Sequence, residues 1–309
     1  MFFRFFLFIS SFLLLTGISG CESGDDFSLS DTNKVPGTPP YDLYLCASIG
    51  GNHTYTSGIY GAKRGQEDQL EEIINLNGEE NLVDDCAVDD RGNLYWTNRG
   101  KNGIFKANAD GSNIRKIVSG LNTPIGLAID ETHQRIYWAD WQTGNAQYGK
   151  IGYADLDGGN QKVIIDSLRS GGKLLLNTAM NKLYIADLFG KEILQSDMEG
   201  NNLSTLTQSS QPEQMALDTA TGKLYWTDVA DDAIYAINLN GTNKQTLISF
   251  SDHSANPCAI ALDKDRLLFT SWKDLQKNIL NSIDKIGQNH QILNGDLPRD
   301  TQKIIIKNQ

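Results

Sequence analysis

The chain has 309 residues and a formal net charge of −11, with 27 basic and 38 acidic side chains. Lysine and arginine do not gather in any one segment, so the surface would repel a polyanion, and nucleic acid is excluded as a partner. Glycine is frequent, with 29 residues against 7 prolines, which suits a fold with many tight turns.

Residues 1–20 are predicted to be a lipoprotein signal peptide, which takes no part in the fold. Arg4 precedes an apolar stretch, Phe5 to Leu15, that is shorter than the ~20 apolar residues a membrane-spanning helix needs. Ile18-Ser19-Gly20-Cys21 then resembles the lipobox of bacterial lipoproteins, which implies a diacylglycerol group on the Cys21 sulfur. The alternative is an ordinary secretory signal, in which Cys21 carries no lipid.

Residues 21–40 are rich in serine, glycine, aspartate, threonine and proline and contain few apolar side chains. Such a composition cannot bury enough surface to fold, so it predicts a flexible linker behind the lipid. Its acidic start, Glu22 to Asp26, resembles the export signal of lipoproteins that reach the outer surface. We therefore expect a lipid-anchored protein of the bacterial cell envelope, at the outer membrane or cell surface rather than the inner membrane.

From residue 41 onward, a short pattern recurs: an apolar residue, tyrosine, a second large apolar residue, a small residue and then aspartate or asparagine. The first and last copies depart from it, and leucine replaces tyrosine in the last. Successive tyrosine positions lie 41 to 51 residues apart, which is the length of one four-stranded propeller blade. The six copies begin at Leu43, Leu94, Ile136, Leu183, Leu224 and Leu267.

Most copies stand in the same surroundings. A strand that ends in aspartate comes before the copy, as in Ala128-Ile129-Asp130, and a glycine-containing turn comes after it, as in Asp157-Gly158-Gly159-Asn160. Asparagine or aspartate before glycine favours the positive φ of a tight hairpin. Four short strands per repeat predict an antiparallel blade. Residues 41–309 are therefore predicted to form an all-β, six-bladed β-propeller.

As a set, these repeats resemble the YWTD repeats of the LDL-receptor class B family over residues 41–309. The resemblance implies that Asp140, Asp187 and Asp228 hydrogen-bond to the backbone between neighbouring blades. Blade 1 lacks an inner strand before Tyr44. Because Gln302 to Lys307 match the inner-strand pattern, we expect the C-terminal strand to complete blade 1 and close the ring.

The alternative to a binding protein is a metal-dependent, lactonase-like propeller hydrolase or lyase with its metal in the central channel. Such a metal needs several converging oxygen ligands from the inner strands. Two lysines in one predicted ring of channel residues, and only two acids in the other, oppose a cation. We therefore expect no catalytic residue, metal or cofactor. The rings are Lys303, Asp85, Gly126, Lys173, Gln214 and Ala259, and Gln302, Asp84, Ile125, Gly172, Glu213 and Cys258.

Three cysteines follow Cys21, and all of them lie inside apolar strand patterns: Cys46, Cys86 and Cys258. This placement predicts small, buried apolar side chains. Because three is an odd number, at least one thiol stays free or pairs with another chain. The sequence leaves open whether any two of them form a disulfide.

Aromatic residues collect in the predicted loops on one face of the propeller. Each follows a predicted strand or lies in a loop, so a strand interior does not account for them, and exposed aromatic side chains mark recognition sites. In the resembled family, the position of Trp141 is part of the ligand-binding face. We expect a non-enzymatic binding module whose ligand is a protein, a peptide or a glycan; the alternative is that these rings cap the channel mouth. The candidate binding residues are Trp141, Phe189, Trp272, Tyr55 and Tyr148.

Overall fold

The computed structural model describes residues 40–49, 56–76, 78, 81–142, 148–250, 255–273, 277–298 and 301–307. Cys21, the predicted signal peptide, the predicted linker up to residue 39 and Tyr55 lie outside these residues. The described chain is built of strands, with one 3₁₀ turn at Thr178–Met180. No helix in this part of the chain is long and apolar enough to cross a membrane.

Six four-stranded antiparallel sheets form the blades of the propeller, as the sequence predicts. In blades 2 to 6 the four strands are consecutive, whereas blade 1 takes its inner strand from the C-terminus. From the inner to the outer strand, blade by blade, they are β24 (Thr301–Ile306), β1 (Leu43–Ile49), β2 (Thr56–Ala62) and β3 (Glu71–Asn75); β4 (Cys86–Val88), β5 (Leu94–Asn98), β6 (Gly103–Ala107) and β7 (Arg115–Ser119); β8 (Pro124–Asp130), β9 (Arg135–Trp141), β10 (Gly149–Asp155) and β11 (Lys162–Leu168); β12 (Gly172–Asn177), β13 (Lys182–Asp187), β14 (Glu192–Asp197) and β15 (Ser204–Gln208); β16 (Pro212–Asp218), β17 (Lys223–Asp228), β18 (Ala233–Asn238) and β19 (Gln245–Ser249); and β20 (Ile260–Asp263), β21 (Arg266–Lys273), β22 (Lys277–Asp284) and β23 (Gln291–Leu297).

The YWTD-like strand is the second strand of each blade, and neighbouring blades cover it on both sides. Successive residues of a strand point to opposite faces of the sheet. Tyr95 therefore packs with Trp138 of blade 3, while Trp96 packs with Tyr44 of blade 1. The alternation repeats around the ring and gives one apolar cluster between each pair of blades. Because both faces of this strand are buried, apolar side chains occupy consecutive positions at the start of the repeat, as in Leu224-Tyr225-Trp226.

The C-terminal strand closes the ring in the predicted register. β24 pairs antiparallel with β1, so that Ile304 lies opposite Leu45 and Ile306 lies opposite Leu43. The Lys307 N–H then donates to the Asp42 carbonyl oxygen at 2.9 Å, one step beyond the ladder. The inner edge of β1 is thereby paired, and the two ends of the described chain meet in one sheet.

The recurring aspartates hold the segments that connect one blade to the next, as the family resemblance implies. The Asp140 carboxylate accepts the backbone N–H groups of Asn122 at 2.9 Å and Thr123 at 2.7 Å, both in the connector that enters blade 3. The Asp228 carboxylate accepts those of Ser210 and Gln211 in the connector before blade 5. These carboxylates satisfy backbone donors that the sheet leaves unpaired, so their role is structural.

Antiparallel strands give the ring two distinct faces. The connectors between blades and the loops between second and third strands lie on one side, here named the connector face. The turns between first and second strands and between third and fourth strands lie on the other side, the turn face. On the turn face, Gly158 has φ of +94°, and a Cβ there would lie 1.8 Å from the Ile117 carbonyl oxygen of blade 2. The predicted Asp-Gly segment is therefore a packed turn between blades.

Candidate binding face and central channel

Two of the predicted binding residues contact each other on the connector face. Trp141 ends β9 of blade 3, and Phe189 lies in the loop that follows β13 of blade 4. Their ring centroids are 5.1 Å apart with an interplanar angle of 46°. Phe189 remains 37% exposed, and the Trp141 side chain is half-buried. Trp141 and Phe189, named here the aromatic pair, form an apolar contact that bridges two blades at the surface.

The prediction that these tryptophans lie beyond the strand ends is wrong. Trp141 is the last residue of β9 and lies opposite Gly149, while Trp272 lies within β21 opposite Asn278. The backbone provides the reason, because each ladder continues past the repeat. The N–H of Trp141 donates to the Thr123 carbonyl oxygen at 2.9 Å, so the connector extends the hydrogen bonding of the sheet by one residue. Phe189 is the member of the aromatic pair that lies in a loop.

Of the other predicted face residues, Tyr148 lies beside Trp141, Trp272 lies on a distant blade, and Tyr55 lies outside the described chain. Tyr148 comes just before β10, is 55% exposed, and its carbonyl oxygen accepts the Gln142 N–H at 3.1 Å. Trp272 belongs to blade 6, three blades around the ring from Trp141. Tyr55 is not among the described residues. The structure thus joins Trp141 to Phe189 and leaves Trp272 on the far side of the ring.

The first predicted ring of channel residues does converge. The Lys303 ammonium of β24 reaches across the channel to Gln214 of blade 5 at 3.0 Å, and it lies 3.5 Å from the Asp85 carboxylate of blade 2. Lys173 of blade 4 donates to the carbonyl oxygens of Asp84 and Ile125. Side chains from blades 2, 4 and 5 and from the closing strand therefore meet near the axis and hold the inner strands together.

The channel contains buried lysine ammonium groups and buried carboxyl groups that lie close enough to shift one another's pKa values. Burial disfavours the charged form of Lys173, but Asp85, Glu213 and Asp84 outweigh this effect and raise the pKa of Lys173. Burial also raises the pKa of Glu213, an effect that Lys173 opposes. One carboxylate oxygen of Asp84 also lies 3.3 Å from Arg99 Nε. Within the described residues, no group of three or more His, Cys, Asp or Glu side chains could hold a metal ion.

A charged depression on the turn face was not predicted from the sequence. It encloses about 940 Å³ and is lined by the turns of blades 5 and 6 and by the turn-face end of blade 1, where β1 begins and β24 ends. Two of the cations around it are paired, Lys285 with Asp218 at 2.8 Å and Arg64 with Asp263 at 2.9 Å. The sequence predicts only polar turns at these positions. The residues come from different blades, so they lie together only because the blades form a ring.

Comparisons with known proteins agree with this architecture. The family described as "Low-density lipoprotein receptor repeat class B" matches residues 92–131, 134–177 and 222–264. "Low-density lipoprotein receptor-related protein 1" of Pyricularia oryzae is 31% identical over 33% of this chain and 35% of its own length. "Low-density lipoprotein receptor-related protein 5" of Mus musculus is 32% identical over 38% of this chain and 7% of its own. The chain therefore spans about a third or less of the length of these relatives.

A solved structure matches the whole ring. A chain from "Crystal structure of Nidogen/Laminin Complex" superposes with a TM-score of 0.70 over 85% of this chain and 97% of that chain, at 20% sequence identity. At this identity the likeness concerns the fold. The protein is thus a six-bladed β-propeller. More narrowly, three stretches of its blades are similar to the low-density lipoprotein receptor repeat class B.

Proposed function

We propose that this propeller is a non-enzymatic module that binds a protein or peptide through the aromatic pair on its connector face. The observation that carries the proposal is the surface contact between Trp141 and Phe189, which joins blades 3 and 4 while Phe189 stays 37% exposed. Exposed aromatic side chains supply large contact areas at low conformational cost and are frequent hot spots of interfaces. The similar relatives named as receptor-related proteins, and the similar chain from a complex with laminin, support the same class of function.

The channel chemistry supports binding over the metal-dependent alternative. A lactonase-like hydrolase or lyase needs a divalent cation held by oxygen ligands in the channel. In this ring, the ammonium groups of Lys173 and Lys303 project into that space and bind carbonyl and carboxamide oxygens. A divalent cation there would meet two positive charges. These hydrogen bonds give Lys173 and Lys303 a structural role, because each lysine links the inner strands of different blades.

Binding through the aromatic pair predicts that Phe189→Ala loses ligand without losing the fold. A truncated aromatic hot spot typically costs about 2 kcal/mol of binding, which is roughly a thirtyfold loss of affinity. The measurement is cross-linked capture from the native cell envelope, quantified by mass spectrometry, with wild type and variant at equal concentration. A glycan array screened with both proteins tests the carbohydrate alternative.

Met180→Ala is the matched control for this capture experiment. Met180 is 59% exposed and lies in the 3₁₀ turn between β12 and β13, on the turn face. Its truncation removes a similar exposed apolar side chain and should leave capture unchanged. Equal loss of the same partner in Met180→Ala and Phe189→Ala, or no loss in either, would reject the connector face as the binding surface.

We further propose that a lipid on Cys21 anchors the propeller in the bacterial cell envelope, at the outer membrane or the cell surface. The support is the sequence alone: the lipobox-like Ile18-Ser19-Gly20-Cys21 and the acidic residues that follow it. A lipid chain contributes about 0.8 kcal/mol per buried methylene group, so a diacyl anchor holds a protein firmly on a bilayer.

Cys21→Ala is expected to move the protein from the membrane fraction to the soluble fraction after signal cleavage, because the variant has no cysteine to carry the lipid. Fractionation followed by immunoblotting measures the change. Cys258→Ala, which removes a cysteine of the propeller, is the control and should stay in the membrane fraction. A cleaved Cys21→Ala protein that remained in the membrane fraction would assign the attachment to another protein or surface.

A further inference from the structure

Two of the three propeller cysteines meet at the junction between blades 1 and 2. Cys46 lies in β1, the second strand of blade 1, and Cys86 begins β4, the inner strand of blade 2. Their side chains are 0% and 1% exposed and belong to the same apolar cluster. Both are free thiols in the structure, and the neighbouring Cys46 thiol contributes to the raised pKa of Cys86. They are separated by 40 positions in the chain, so only the packing of the blades brings them together.

The same junction is where the ring closes. Cys46 lies opposite Lys303 of the closing strand, and Lys303 lies 3.5 Å from Asp85, the residue next to Cys86. Among the described residues, the inner strand of blade 1 is β24, which comes from the far end of the chain, so no cross-link within blade 1 joins its inner strand to β1. We propose that Cys46 and Cys86 form a disulfide that covalently fastens blade 1 to blade 2.

The bond forms by two exchange steps with an external disulfide, such as oxidised glutathione or a protein disulfide. One thiolate attacks the external disulfide, releases its first thiolate and leaves a mixed disulfide. The second thiolate then displaces the remaining external thiolate and forms the Cys46–Cys86 bond. The protein loses two protons and two electrons, and the external disulfide is reduced to two thiols.

Burial places the first exchange step during folding, before the blades pack, and the second step at the point where packing brings Cys46 and Cys86 together. In the folded ring an external disulfide cannot reach side chains that are 0% and 1% exposed. Burial and the neighbouring Cys46 thiol also raise the pKa of Cys86, so little of the reactive thiolate is present there. The completed bond is protected from reductants for the same reason. Disulfides persist outside the cytosol, so the inference agrees with the proposed export but does not depend on the binding function.

Peptide mapping of the full chain tests the bond directly. The protein is refolded from denaturant with oxidised and reduced glutathione, denatured again without reductant, alkylated and digested. The expected result is a linked peptide pair containing Cys46 and Cys86, with Cys258 alkylated. Cys258 lies in the connector before β20, with its sulfur 3.6 Å from Gln302 Oε1. Alkylation of both Cys46 and Cys86 in most molecules, or linkage of either to Cys258, would overturn the proposal.

Thermal melting gives a second, independent readout. Cross-linking residues 40 positions apart restricts the unfolded chain, so the oxidised protein should melt roughly 10 °C above the reduced protein. Cys258→Ala should keep this difference, whereas Cys46→Ala and Cys86→Ala should each remove it. The difference is taken within each variant, so the cost of deleting a buried sulfur cancels. A wild-type protein whose two forms melt together would contradict the cross-link.

Discussion

Deletion of residues 301–309 is expected to abolish cooperative unfolding and produce aggregates. The deletion removes β24, so the inner edge of β1 loses its partner strand. An unpaired strand edge is a template for pairing with other chains. The Lys303 contacts with Gln214 and Asp85, which tie the closing strand to blades 5 and 2, are lost at the same time. Circular dichroism melts and size-exclusion chromatography measure both consequences.

The matched control removes only residues 308 and 309, which follow β24 and leave its pairing with β1 complete. This shorter deletion should melt within a few degrees of the full chain. A protein lacking residues 301–309 that stayed monomeric and melted like the full chain would show that blade 1 holds without its inner strand, and the closure argument would fail.

Trp226→Ala is expected to lower the free energy of unfolding by about 3–5 kcal/mol, the usual cost of truncating a buried aromatic side chain. Trp226 is 0% exposed, stacks on Tyr235 with centroids 5.3 Å apart, and donates from Nε1 to Ser209 Oγ at 2.8 Å. Truncation leaves a cavity at the junction of blades 4 and 5. Trp138→Ala, between blades 2 and 3, is expected to behave in the same way. Urea titration measures both changes.

Phe189→Ala provides the contrast, with an expected loss of no more than about 1 kcal/mol, because the side chain is partly solvated and lies in a loop. Trp141→Ala and Trp272→Ala should fall between the two groups, since both residues lie in strands and are half-buried. If Phe189→Ala were as destabilising as Trp226→Ala, the aromatic pair would be a structural cap over the channel mouth, and the binding proposal would lose its support.

The elements that the sequence predicted well are those that repeat. Each YWTD-like strand is buried between two neighbouring blades, so every copy needs the same pattern of apolar residues. The equivalent strands and turns of different blades could therefore be aligned, and the closing strand could be matched to the inner strands. The channel ring followed from that alignment: Lys303, Lys173, Asp85 and Gln214 stand at equivalent positions of different inner strands, and the structure places them around the axis.

The features that the sequence missed depend on contacts between different blades. The extension of β9 through Trp141 depends on a hydrogen bond to a connector, which the repeat pattern does not encode. The contact of Trp141 with Phe189 depends on the angle between blades 3 and 4. The placement of Cys46 and Cys86 in one cluster likewise requires the register of two separate sheets. The spacing of residues within a repeat predicts the strands and turns of one blade. It does not predict which residues of two different blades contact each other.

The direction of β1 determines the face at which the preceding chain enters the ring. β1 starts at Leu43 beside Ile306, at the turn face, so the predicted linker joins the ring on the side opposite the aromatic pair. The proposed lipid on Cys21 would therefore connect to the ring at the turn face. A 20-residue flexible linker spans roughly 25 Å on average, about the radius of a small domain. The proposed tether and the aromatic pair would then occupy opposite faces of the ring, so that attachment and partner binding would use different surfaces.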